Sequence, residues 1–276
     1  MQLRSQQLDT ARNSDTSPQQ LRELSYSSDK QTRQLVAANP NTPTEVLLDL
    51  GAEFPKELLN NPVFTLIWLE QPDLVRVMPE STLAKLIECK AVPLFLLEQA
   101  TNHPERRIRE RAIAKIPVES LPALVNNTYE DIRIQLAEHP QVAIAILEQL
   151  AKDESIWVRA TVASRRQTPI PVLEALAKDT EREVRRAVAP HPSLPVPILE
   201  RLALESDREI RWPVAAHPQT PLPSLEILAK DSDGQVRCAV AKNPNASVEL
   251  LAQLQNDKNA SVSRWAAYRL RQQNEA

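Results

Sequence analysis

The chain has 276 residues, with 33 Lys+Arg against 36 Asp+Glu, 23 prolines, 2 glycines and 2 cysteines. So little glycine excludes Gly-rich phosphate loops, dinucleotide-binding fingerprints and tight hairpins. A formal net charge of −3 gives no global pull toward nucleic acid or an anionic membrane. Cys89 and Cys238 suggest neither a metal cluster nor a disulfide framework, so a reducing compartment is expected. Residues 1–15 lack the apolar core of a secretory signal, and no apolar run approaches the ~20 residues of a membrane span. The simplest expectation is a soluble cytoplasmic protein with no membrane contact.

In chain order, residues 1–15 are expected to be disordered. Residues 16–62 hold a first set of repeats. One reads Thr32-Arg33, Val36, Ala37, Asn39-Pro40, Thr42-Pro43, Val46, Leu47, Leu50, and a shortened copy follows at Phe54, Leu58, Leu59 and Asn61-Pro62. Residues 63–107 lose the register but keep apolar helical segments, and are read as degenerate repeats. Residues 108–271 are regular. Apolar–Arg pairs fall at Ile132-Arg133, Val158-Arg159, Val184-Arg185, Ile210-Arg211 and Val236-Arg237, each 26 residues after the last. Val262-Ser263 continues the step without its Arg, and Ile108-Arg109 precedes it. Residues 272–276 are expected to fray. A fixed period of this size marks a solenoid, in which each unit buries its apolar face only against its neighbours.

Within a unit, apolar residues at i, i+3 and i+4 (Val184, Ala187, Val188) make one stripe of a short helix. An Asn-Pro or His-Pro pair ends it, because the residue before proline is pushed out of the α region. The asparagine is also tolerated in a left-handed closing conformation. A second proline (Pro169, Pro195, Pro221) suits the start of a second helix, buried by leucines three apart, such as Leu199 and Leu202. The spacing leaves open whether that second helix is α or 3₁₀. The fold class is all-α, a superhelix of about 24–26-residue two-helix repeats.

The recurring phrase Val-Arg-x-x-Val-Ala-x-(Asn/His)-Pro-x-x-Pro-x-x-x-Leu-x-x-Leu-Ala, from Ile132 to Leu254 and again from Thr32 to Leu50, resembles the leucine-rich repeat variant (LRV) family. The resemblance implies a right-handed superhelix of paired helices related in shape to HEAT repeats. Some relatives alternate α with 3₁₀ helices. Here the step is mostly 26 rather than the family's usual 24, which favours longer turns and a fully α second helix. The amino-terminal cysteine cluster of one known member is missing, so no iron–sulfur centre and no cofactor is carried over.

Six residues before each repeat arginine stands an acid or amide: Asn127/Arg133, Asp153/Arg159, Asp179/Arg185, Glu205/Arg211 and Asp231/Arg237. As a basic track these arginines would bind phosphates. As a structural ladder, favoured because the acids keep pace with the arginines, each acid caps its helix and pairs with an Arg of its own or an adjacent repeat. All four histidines precede proline, which reads as a helix end; a zinc site wants about four close ligands, and no metal is expected. The position after each Arg varies freely (Ile134, Ala160, Arg186, Trp212, Cys238, Arg264), as solvent-facing positions do. Arg165, Arg166, Arg186, Trp212 and Arg264 form the candidate partner-binding face.

No catalytic arrangement rises above the repeat grammar, so an enzyme is not expected. The leading reading is a protein-interaction scaffold with a protein or peptide partner. Nucleic-acid binding is the alternative: residues from 101 onward carry a net charge of +1, and 1–100 carry −4. An enzyme on a HEAT-like frame, of glycosylase or bilin-lyase type, comes last, since fold alone confers no activity.

Overall fold

A computed structural model describes residues 2–71 and 73–274. The described residues form helices joined by short corners, with no strand. Contacts divide the chain into two compact units, residues 1–132 and 133–276.

In the second unit the helices alternate strictly. First helices are Ile156–Ser164, Arg182–Val188, Arg208–Ala216, Gly234–Lys242 and Ala260–Asn274; second helices are Ile144–Leu150, Ile170–Leu176, Val196–Leu202, Leu222–Leu228 and Val248–Leu254. The helix Glu130–Glu138 leads into the series. Every second helix is α and seven residues long. The expected core is in place: Val158/Val162, Val184/Val188, Ile210/Val214 and Val236/Val240 are buried with the leucine pairs of the second helices. Each such side chain contributes about 1.5–3 kcal/mol on leaving water. Consecutive first helices lie directly against one another, closer than consecutive second helices. The alanines at the packing positions (Ala163, Ala189, Ala215, Ala241) are buried and permit that approach.

The corners explain the scarcity of glycine. No described residue has a positive φ, so no turn needs a left-handed residue. The first helices end instead on extended residues: Asn39, Arg165, His217 and Asn243 have φ near −70° and ψ between 124° and 134°. The asparagine is thus not a left-handed cap. Its side chain makes two other connections. The Asn243 Oδ1 accepts the Asn245 N–H at 2.9 Å, and its Nδ2 reaches back one repeat to the carbonyls of Ala215 and His217 at 2.8 and 2.9 Å. Asn39 does the same to Ala11 and Asn13, and Asn61 to Ala37 and Asn39. His191 substitutes for the amide. Its Nδ1 accepts the Ser193 N–H, which leaves Nε2 protonated to donate to the Arg165 carbonyl at 3.0 Å. This buried polar spine satisfies helix-end carbonyls that would otherwise be orphaned.

The two ends of the chain correct two expectations. Residues 2–12, expected within a disordered stretch, form a helix that packs on Lys30–Ala38 and buries Ala11. Asn39 holds the end of this helix through the carbonyls of Ala11 and Asn13. The final helix continues to Asn274 rather than fraying from Gln272; residues 275–276 lie outside the described residues. The loss of register after residue 62 has a simple cause. Helix Glu80–Glu88 packs on Thr44–Leu50 and Pro55–Asn60, and Thr82 Oγ1 donates to the Leu48 carbonyl at 2.7 Å. Gly51 makes that approach possible, because a Cβ there would meet Leu58 and Thr82 side-chain carbons at 2.4 and 2.5 Å. The helices Pro62–Glu70 and Leu74–Val77 are therefore an insertion between two consecutive elements of the stack. Val118–Leu124, with Pro122 inside it, is a 3₁₀ helix.

Burial holds the His103 and His217 imidazoles below their usual value of 6.5. The His217 ring faces the carbonyls of His191 and Pro192, which pull the other way but make no well-formed bond to its buried Nε2. Below pH ~6.5 the unfolded chain takes up protons that the folded chain refuses, so stability falls as pH drops through that value. A lower thermal midpoint is expected at pH 5.5 than at pH 7.5. The double variant His103→Asn/His217→Asn, which installs the spine's other side chain, should flatten that difference.

Candidate functional site

Each repeat arginine is the fourth residue of its first helix and is largely buried. Its guanidinium joins two repeats. In its own repeat, Nη1 donates to the backbone carbonyl six residues back: Arg159 to Asp153, Arg185 to Asp179, Arg211 to Glu205 and Arg237 to Asp231, at 2.7–2.8 Å. Toward the next repeat, Nε and Nη2 form a two-bond fork with the carboxylate 20 residues on. The rungs are Arg133–Asp153, Arg159–Asp179, Arg185–Glu205, Arg211–Asp231 and Arg237–Asp257. Only a planar fork with five donors can serve both partners at once. In the first unit Arg33–Glu53 and Arg109–Asp131 make the same connection, and Arg109 also stacks 3.9 Å from the Tyr129 ring centroid.

The acids do not cap the first helices directly. The Asp179 Oδ1 accepts the Glu181 N–H at 2.9 Å, and Asp153, Asp231 and Asp257 accept in the same way from the amide two residues on. That turn feeds the helix, and the residue at +2 is the N-cap, with Ser155, Asp207 and Asp233 accepting from the first helical amides. Burial alone would raise Asp179 and Asp231. The bonds from Arg159 and Arg211, with the backbone amides, outweigh it and leave both carboxyls below the usual 3.8. Bonds from Arg237 do the same for Asp257 against a smaller burial effect. Asp179, Asp231 and Asp257 are thus charged at neutral pH, and the stability they contribute through these bonds is lost as pH falls below about 3.8.

The arginine row is accordingly no open phosphate track. Arg165 also stands apart from the candidate binding face. It occupies the Asn/His position of the spine and donates to the carbonyls of Ala137 and Pro140 at 2.9 and 3.0 Å. Arg166 and Arg264 are exposed, as is Arg186, whose guanidinium lies 3.7 Å from Glu209.

What the exposed side of the first helices presents is aromatic. Trp157, Trp212 and Trp265 are 60%, 51% and 40% exposed. They stand on Ile156–Ser164, Arg208–Ala216 and Ala260–Asn274, every second first helix. Trp212 was legible from its variable position after the Arg. Trp157, two residues before Arg159, and Trp265, two after Ser263, face the same side because residues three and four apart share a helical face. The intervening helices offer small floors. A cleft of about 640 Å³ is walled by Trp212 and Trp265, with Cys238, Ala239 and Gly234 beneath. Lys242 Nζ sits 4.6 Å from the Trp265 ring centroid, and Tyr268 meets that ring edge-on at 5.7 Å. Gly234 makes room for Asn259, whose Nδ2 would lie 2.5 Å from a Cβ there. A shallower hollow of about 650 Å³ runs from Trp157 over Ala160 and Ala187 to Arg186.

A second exposed apolar cluster lies on the insertion of the first unit. Leu66 and Leu69 are exposed, and the Trp68 ring packs 4.7 Å from Phe95. Among the described residues, no group of three or more His, Cys, Asp or Glu could hold a metal ion, and no helix is long and apolar enough to cross a membrane.

Residues 156–181 match the family model of the leucine rich repeat variant; the match spans one first helix, its corner and the following second helix. Among solved structures the chain is similar to a leucine-rich repeat variant described as having a novel repetitive structural motif. The two share 22% identity over 88% of this chain and 87% of that one, with a TM-score of 0.57. An engineered protein aligns over 98% of this chain and 94% of its own at 14% identity, with a TM-score of 0.36, too low to bear on arrangement. No curated protein matches. The chain shares the helical-repeat fold of that leucine-rich repeat variant.

The ladder gives a direct test. A lost helix cap would cost about 1 kcal/mol. Removing one member of a buried, forked pair strands a charge and costs roughly 3 kcal/mol or more. Asp179→Ala should therefore lower the urea midpoint far more than Glu181→Ala, whose side chain caps nothing. Arg159→Lys should approach the cost of Arg159→Ala, since an ammonium cannot bridge both repeats.

Proposed function

We propose that this protein is a non-enzymatic interaction scaffold that recognises a protein or peptide partner on the exposed side of the first helices of its second unit. One observation carries the reading. The repeat arginines and the spine asparagines are paired within the protein, while three tryptophans remain half-exposed on one side. Exposed tryptophan and arginine bordered by small residues are what binding hot spots are made of, and a repeat array offers them on a continuous surface.

Nucleic-acid binding is supported less. The arginines that would have formed a basic row are held by carboxylates, and Arg186 and Arg208 also have acidic neighbours, Glu209 and Asp233. The aromatic spacing does keep base stacking as a result to be tested.

Immobilised wild-type protein should retain partner proteins that a Trp157→Ala/Trp212→Ala/Trp265→Ala variant of equal thermal midpoint releases. Loss of the same partners with Ile170→Ser, on the exposed side of a second helix, but not with the tryptophan variant would place binding elsewhere and reject the reading.

A further inference from the structure

We infer that the tryptophan face is shaped for an extended polypeptide segment, not a folded helix, and that the segment carries apolar anchors about five or six residues apart with an acidic residue at the Trp265 end. This rests on the scaffold reading and specifies its ligand.

The spacing comes from the helices. Neighbouring packed helices lie about 8–10 Å apart. The tryptophans occupy every second first helix, so successive aromatic walls are separated by roughly 16–20 Å. An extended chain advances about 3.3 Å per residue, and five or six residues cover that step. A helix advances only 1.5 Å per residue and is about 10 Å wide with its side chains. It would need some twelve residues to pass from one wall to the next, and its width would span the small-residue floor instead of entering it. The cleft suits a chain in extended form, because both apolar and hydrogen-bonding groups line it. Cys238 and Ala239 supply contact surface, while Gln235, Asn259 and Ser261 present side-chain polar groups at the rim. Such groups can meet the free N–H and C=O of an unpaired strand.

The polarity comes from charge. The cations around Trp212 are answered: Arg208 by Asp233 at 2.9 Å, Arg186 by Glu209 at 3.7 Å. At the other end the pattern changes. Among the described residues no carboxylate lies within ion-pair distance of Lys242 or Arg264. Lys242 instead rests against the Trp265 ring. A carboxylate on the ligand would complete that cation, and a basic ligand would be repelled from the same place. Both cysteines of the chain are unpaired and half-buried, one in this cleft and one in the first unit, which supplies an internal reporter.

The test is selection of a random 12-residue peptide library on the full-length protein, followed by titration of the consensus peptide. The expected consensus has apolar residues five or six apart and Asp or Glu beyond one of them, with no i, i+3, i+4 apolar pattern. That peptide should slow alkylation of Cys238 and leave Cys89 unchanged. Trp212→Ala should weaken it tenfold or more, and Lys242→Glu should reverse the preference for the acid. An enriched helical pattern that still protects Cys238 would overturn the extended-chain inference and leave the scaffold reading standing. Peptides that bind without protecting Cys238, or no enrichment while partner proteins are still captured, would also overturn it. Tight binding of a dT12 oligonucleotide with a steep salt dependence, and no peptide or protein captured, would overturn both.

Discussion

The structure depends on a guanidinium held between two repeats. Each arginine takes a backbone carbonyl from its own unit and a carboxylate from the next, 20 residues along. Hydrophobic burial between neighbours is non-directional and would tolerate sliding or rotation of one helix pair on another. The fork does not, because its five donors have a fixed geometry. The Asn/His spine adds a second fixed point at the other end of each first helix. Two polar rows, one at each end of the packed first helices, thus set the orientation that the apolar core stabilises.

This division explains the composition. Glycine is dispensable because the corners turn on extended and right-handed residues, with side chains in place of left-handed caps. Proline is abundant because every unit has two corners. Net charge is close to balanced because rung arginines bring carboxylates with them. One exception is also intelligible. Arg165 replaces the amide of the spine and still reaches back to carbonyls of the previous repeat.

Much of this was readable from residue order, because a solenoid repeats its own grammar. The 26-residue step, the two helices and the leucine pairs follow from spacing alone. The pairing of acid with arginine was legible, but its direction was not: spacings of 6 and 20 residues both recur at fixed intervals, and only packing shows that the carboxylate serves the preceding arginine. The helix at residues 2–12 was missed because its mean polarity hides one buried position, Ala11, which matters through contact with a later helix. The insertion after residue 62 was seen as lost register, but its nature depended on Glu80–Glu88 returning to Thr44–Leu50. At the candidate site, Trp212 stood out by variability, whereas Trp157 and Trp265 occupy different repeat positions and joined it only on a common helical face. Lys242 was invisible for the same reason.

The most direct measurement of the central claim is a double-mutant cycle across one rung, Arg185→Ala and Glu205→Ala singly and together, by equilibrium denaturation at neutral pH. If the rung fixes one repeat on the next, the double variant should be more stable than the sum of the two losses predicts, with a coupling of about 2 kcal/mol or more. Additive losses within ~0.5 kcal/mol would contradict it, and would mean that apolar packing alone holds the repeats in register.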